Sequence, residues 1–190
     1  MEMNLYLFYL LSTWEDFHNI ILYTIEVGTL KYIGKGEGSM NPIYLYLLAS
    51  FIAVFGLLIS FKKMVSIMED KLEKGESVTK SSFQKEYNKF FITAPMIEFI
   101  PILLIVFSFI QMEEWAPQIT QNDVILPMIL IIIILLFGVL NVFLIRRRIV
   151  SISNIDSASK NFINTTTFMG ISLISSIPAL SIIGLILHIS

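Results

Sequence analysis

The chain has 190 residues, 55% of them hydrophobic and 15% charged, with a mean hydropathy of +0.77, which is too apolar for an ordinary soluble domain and points to an integral membrane protein. The formal net charge is −2, and no run of basic residues mixes with aromatics, so the sequence indicates neither a nucleic-acid surface nor a polybasic lipid patch. The absence of cysteine excludes a disulfide framework, a thiol nucleophile and a thiolate metal site.

Residues 1–40 do not read as a membrane span. A helix crossing through 5–30 would bury Glu15, Asp16, His18 and Glu26, at several kcal/mol in total. At the helical repeat, Ser12, Glu15, Asp16, His18, Asn19, Glu26 and Thr29 gather on one face, and Trp14, Phe17, Ile20, Ile21, Ile25 and Val27 on the other. That pattern predicts an amphipathic helix lying in the interface. "GKGEGSMNP" then reads as a flexible link. With no basic n-region and no small-residue cleavage site, the start does not read as a signal peptide.

Four apolar segments reach the spanning length of about 20 residues, at about 43–61, 91–110, 124–145 and 164–187. The expected fold is an all-α membrane protein of four transmembrane helices, arranged as two tandem helical hairpins plus the N-terminal amphipathic helix. Its expected parts are that helix and linker (1–40), a first hairpin (41–112), an extracytoplasmic connection (113–123) and a second hairpin (124–190). The lysine-rich segment 62–89 and "RRR" at 146–148 follow the first and third spans, whereas 111–123 contains Glu113, Glu114 and Asp123 and no lysine or arginine. By the positive-inside rule both hairpin loops are cytoplasmic and the C-terminus is extracytoplasmic, the host being a cell membrane.

The chain also repeats itself. "KKMVSIM" at 62–68 recurs as "RRIVSIS" at 147–153, and "FITAPMIEFIP" at 91–101 matches "FMGISLISSIP" at 168–178. This places Phe91, Glu98 and Pro101 over Phe168, Ser175 and Pro178. A hairpin duplicated in tandem reads as two copies occupying equivalent places in a larger symmetric or pseudo-symmetric assembly.

Glu98 sits inside "FFITAPMIEFIPILLIVFSFI". A charge at the centre of such a run costs at least ~2.5–3.5 kcal/mol on insertion scales, and intramembrane acids are functional by default. With a start near Lys89, Glu98 lies about 13 Å along the helix at ~1.5 Å per residue, not far from the middle of a ~30 Å hydrocarbon core. A carboxyl there can carry a proton in its neutral form and release it only where water or a cation meets it. The structural alternative is an acid hydrogen-bonded to a neighbouring helix that never titrates.

The residues Phe91, Ile92, Glu98, Pro101, Ile102 and the closing "VFSFI" resemble the outer helix of the proteolipid c subunit of F-type ATP synthases. Phe168, Gly170, Leu173, Pro178 and Gly184 resemble the same helix again. A duplicated four-helix chain with the acid in one hairpin is similar to the proteolipids of V-type rings. The resemblance implies a subunit of a homo-oligomeric or mixed proteolipid ring in the lipid bilayer, with the stator and central-stalk subunits of a rotary ATPase as partners. In that setting Glu98 is the ion-binding acid, discharged beside a stator arginine, with Pro101, Ser175 and Pro178 in support. The chain would not be catalytic alone but could be the ion-translocating part of such an enzyme. The ion is expected to be H⁺ rather than Na⁺, because the first span offers no glutamine or glutamate and Phe99 follows the acid.

The first and third spans depart from that family, whose inner helices alternate glycine and alanine. The first has only a stripe of Ala49, Ala53, Gly56 and Ser60, one helix face that reads as a packing face. The alternative function is therefore a proteolipid-derived scaffold, assembly or regulatory protein without ion transport. A weaker third option, a four-helix transporter or channel, lacks the inverted repeat common in transporters. No phosphate loop, HExxH, GxSxG or CxxC occurs, and neither His18 nor His188 has partners at metal spacing, so no cofactor and no metal is expected.

Overall fold

A computed structural model describes residues 41–115, 119–152 and 155–187; the expected amphipathic helix at 1–40 lies outside these. The described residues form four helices, α1 (Ile43–Glu73), α2 (Gln84–Trp115), α3 (Gln121–Val150) and α4 (Ser157–Leu187). All four are long and apolar enough to cross a membrane, as an integral membrane protein requires.

The ends of α1 and the start of α3 are satisfied locally. At the start of α1, Asn41 Oδ1 accepts the Ile43 N–H at 3.0 Å, and Pro42 fits a first turn where its missing donor costs nothing. At its end Gly75 takes a positive φ of 75°, the Gly75 N–H reaches the Leu72 carbonyl and the Glu76 N–H reaches the Lys71 carbonyl, both at 3.0 Å. That pair of bonds is a Schellman stop. At the start of α3 the Asp123 carboxylate accepts the Thr120 N–H at 3.1 Å and the Thr120 hydroxyl at 2.7 Å, fixing the entry to the helix.

Neighbouring helices alternate in direction. Across α1 and α2, Phe61 stacks edge-on to Phe90 while Ser108 donates to the Pro42 carbonyl at the other end. Across α3 and α4, Arg146 donates to Asn164 and Gly138 meets Ile174. α1 is the central helix and packs on the other three: in its most apolar stretch 61% of residues are buried, against 17% in α2. The other helices approach it where a side chain is missing. A Cβ on Gly170 would fall 2.6 Å from the Phe61 ring, and one on Gly138 would fall 2.7 Å from Ile174 and 2.8 Å from Val54. Small residues at such seams let helix backbones come close in lipid, where apolar burial between helices gives little drive.

At the lysine-rich end the α1–α2 loop folds back over the bundle. The Val78 N–H donates to the buried Ser159 hydroxyl at 2.8 Å, Phe83 and Tyr87 contact the Phe162 ring, and Arg148 pairs with Glu69. At the surface, α2, α3 and α4 expose Ile, Leu, Phe, Val and Met side chains, among them Met96, Phe99, Leu103, Leu140, Phe168 and Ile183. This is the arrangement of a chain whose solvent is hydrocarbon.

Candidate functional site: the Glu98 carboxyl between α2 and α4

The four apolar runs, 43–61, 90–110, 124–145 and 164–187, contain no lysine, arginine or histidine, and Glu98 is the only acid in them. No cation of the described spans can therefore neutralise it. In such surroundings a carboxyl is either uncharged or met by a cation from outside these four spans.

Two contacts hold the turn that carries it. Ile97 fills the gap left by Gly56, where an added Cβ would stand 2.6 Å from Ile97 Cγ2; this draws α2 against α1. One residue on, Glu98 turns toward α4 and is half-buried, while Met96, Phe99 and Ile100 on the same turn are 72%, 62% and 57% exposed. The carboxyl thus lies at the edge of the bundle, between a helix seam and the apolar surface.

Across the seam the Ser176 hydroxyl donates to Glu98 Oε1 at 2.7 Å. The same hydroxyl also stands 2.7 Å from the Leu173 carbonyl. Serine has one O–H proton and a backbone carbonyl only accepts. With Glu98 ionised, Ser176 gives its proton to the carboxylate, a charge-assisted bond. With Glu98 neutral, the carboxyl O–H can donate to Ser176 Oγ, and the serine proton turns to Leu173. The hydroxyl can thus partner either form of the carboxyl without a heavy atom moving.

The other expected site residues are spread along the same helices. Pro101, buried three residues past Glu98, cannot donate to the Ile97 carbonyl, which loosens the helix next to the acid. Pro178 is buried on α4 and does the same to Ile174. Ser175 is half-buried, but the hydroxyl that reaches Glu98 belongs to its neighbour Ser176. The adjacent pair Ser175–Ser176 was the signal available in the sequence; adjacent helical residues point about 100° apart, so only one could face α2. Ala49 and Ala53 are fully buried with Ile177, covered by Leu104 and Ile105. Ser60 lies away from the acid, in a cleft at the lysine-rich end. Further along the α1–α4 seam, Ser50 donates to Ser181 at 3.0 Å, both fully buried. Among the described residues no three His, Cys, Asp or Glu side chains come together as metal ligands.

No family model, curated protein or solved structure matches this chain.

Proposed function

We propose that this chain is a proteolipid-like subunit of a membrane rotor ring, in which Glu98 takes up and releases a proton within the bilayer. The observation that carries the reading is a lone carboxyl in four apolar runs, at the edge of the bundle, with a hydroxyl partner that serves both its protonation states. Its place beside exposed Met96, Phe99 and Ile100 supports the reading, because a carrier must meet a partner outside its own chain to discharge. Ser175, which stands where Glu98 stands in the repeat, cannot carry a proton at any ordinary pH, so one carrier serves four helices. On this reading the hairpin loops face the cytoplasm of a cell whose plasma membrane holds the protein, and stator and stalk subunits complete the machine. In membranes of the host, Glu98→Gln should abolish ATP-coupled proton movement. Unchanged coupling in that variant would reject the proposal.

A second reading, a proteolipid-derived scaffold or assembly protein without ion transport, is favoured by one observation. Three of the four small residues in the α1 stripe are used up inside the chain, Gly56 against Ile97 and Ala49 and Ala53 against Ile177, rather than offered to a neighbouring copy. The native mass of the extracted protein separates the two: a closed ring of copies supports the rotor, and a monomer supports the scaffold.

A further inference from the structure

A cleft of about 200 Å³ opens between α1 and α2 at the lysine-rich end. Ser60, Lys63, Met64 and Ile67 line it from α1, and Glu86, Lys89, Phe90 and Thr93 from α2. Both sets follow the spacing i, i+3, i+4, i+7, so each is one continuous helix face. Lys63 lies just past the end of the first apolar run and Lys89 just before the second. The cleft therefore sits at the level where hydrocarbon gives way to headgroups.

The sequence shows no basic run here, because the two lysines are 26 residues apart; the antiparallel packing of α1 on α2 brings them to one opening. Both are exposed, and Glu86 in the same wall offsets one of the two charges, leaving a net positive site. The Ser60 hydroxyl can donate to an anion, whereas the Thr93 hydroxyl already donates to the Lys89 carbonyl at 2.8 Å. Below the cleft the wall becomes apolar without a break. Ile59 lies four residues before Lys63, Ile92 three after Lys89 and Met96 three after Thr93, and they are 65%, 67% and 72% exposed. A ligand that satisfies this arrangement is anionic at one end and hydrocarbon at the other.

The matching end of the second hairpin is built differently. There a cleft between Phe143, Arg146, Asn164, Thr167, Phe168 and Ile171 is lined by one cation rather than two, Arg146, whose Nε donates to Asn164 at 2.9 Å. Arg148 is likewise engaged by Glu69.

We propose that the cleft between α1 and α2 binds the phosphate of an anionic phospholipid, with Lys63 and Lys89 flanking the phosphate and the acyl chains lying along Ile59, Ile92 and Met96. Basic pockets between membrane helices hold anionic headgroups in this way, by charge at the interface and hydrocarbon contact below it. The site is independent of proton carriage by Glu98, and a transport-dead Glu98→Gln protein should bind the lipid unchanged.

The test is native mass spectrometry of the full-length protein in mild detergent, titrated with phosphatidylglycerol or with phosphatidylcholine. Wild type should hold phosphatidylglycerol in preference. Each of Lys63→Gln and Lys89→Gln should weaken it about fivefold, and the double variant about 25-fold, with phosphatidylcholine unaffected. Lys80→Gln with Lys85→Gln removes the same charge from exposed positions outside the cleft and should leave binding as in wild type, and Lys63→Arg with Lys89→Arg should retain it. An equal loss in the Lys80/Lys85 control, or equal retention of phosphatidylcholine, would overturn the proposal. Displacement of the lipid by millimolar inorganic phosphate would assign the site to free phosphate and overturn the lipid proposal as well.

Discussion

Gly138→Ala probes the seam that joins α1, α3 and α4. The new Cβ would stand 2.7 Å from Ile174 Cγ2 and 2.8 Å from Val54 Cγ1, where ordinary contact begins at 3.4 Å. Both neighbours are β-branched residues on different helices, fully or almost fully buried, so neither can turn away in its rotamer and the helices must part by about 0.6–0.7 Å to reach ordinary contact. Overpacking of this kind costs about 1–3 kcal/mol, and alanine returns about 0.8–1.0 kcal/mol of helix propensity. The expected result is a net loss of about 1 kcal/mol, larger for Gly138→Leu. Gly56→Ala makes a useful contrast. Its Cβ clashes with Ile97 alone, at 2.6 Å from one methyl, and Ile97 lies on the outer, half-buried helix, so this change should be closer to neutral. Unfolding in mixed micelles, followed by helical circular dichroism, ranks the variants. Gly138→Ala equal to or more stable than wild type, or milder than Gly56→Ala, would refute the three-helix seam.

Other consequences are smaller and separately checkable. The Arg148–Glu69 pair joins α3 to α1, but the arginine side chain is 56% exposed, so a double-mutant cycle should give about 0.2–1 kcal/mol, shrinking as salt is raised. At the start of α4 the hydrogen bonds from Ser159 hold the Asp156 carboxyl below its ordinary value of 3.8. The carboxylate form is the one the folded chain favours, so its stabilisation is complete above 3.8 and is lost as the pH falls through the lower folded value. Asp156→Asn should therefore lower stability slightly at neutral pH, where the carboxylate's contribution is complete, and flatten the acid limb below pH 3.8. Ser50→Ala should cost about 1 kcal/mol because it takes away the partner of the buried Ser181 hydroxyl, whereas Ser181→Ala should cost less because Ser50 can still donate to the Tyr46 carbonyl at 2.9 Å, and the double variant should cost less than the sum of the two; a strictly additive double variant would contradict the bond between them.

The four spans were legible from length and apolarity, since a bilayer demands both. Their ends were not: α1 runs on through Met64, Val65, Met68 and Leu72, buried in the bundle, although lysines and acids alternate with them and mark the end of the apolar run. A charged stretch ends a membrane span, but it does not end a helix whose apolar face still has something to cover. The position of Glu98 was legible because a lone acid in an apolar run is conspicuous. Its partner was not, for a geometric reason. The repeat pairs Glu98 with Ser175, but equivalent positions point in equivalent directions on α2 and α4, and a contact across the seam between these helices falls on residues that face each other, here Glu98 and Ser176. Nor could tandem hairpins reveal that α1 takes the centre. Chain order fixes which helices are joined, and the contacts at Gly170, Gly184 and Gly138 decide which helix the others close around.

The central claim is that Glu98 exchanges a proton inside the bilayer. Infrared difference spectroscopy of the full-length protein in lipid vesicles, cycled in pH, reads the carbonyl stretch of a protonated carboxyl directly. The account predicts a band that appears and disappears reversibly with pH, is absent in Glu98→Gln, and shifts in frequency in Ser176→Ala as its hydrogen bond is lost. No reversible band assignable to Glu98 at any pH the fold tolerates would contradict it and leave Glu98 as a fixed structural acid.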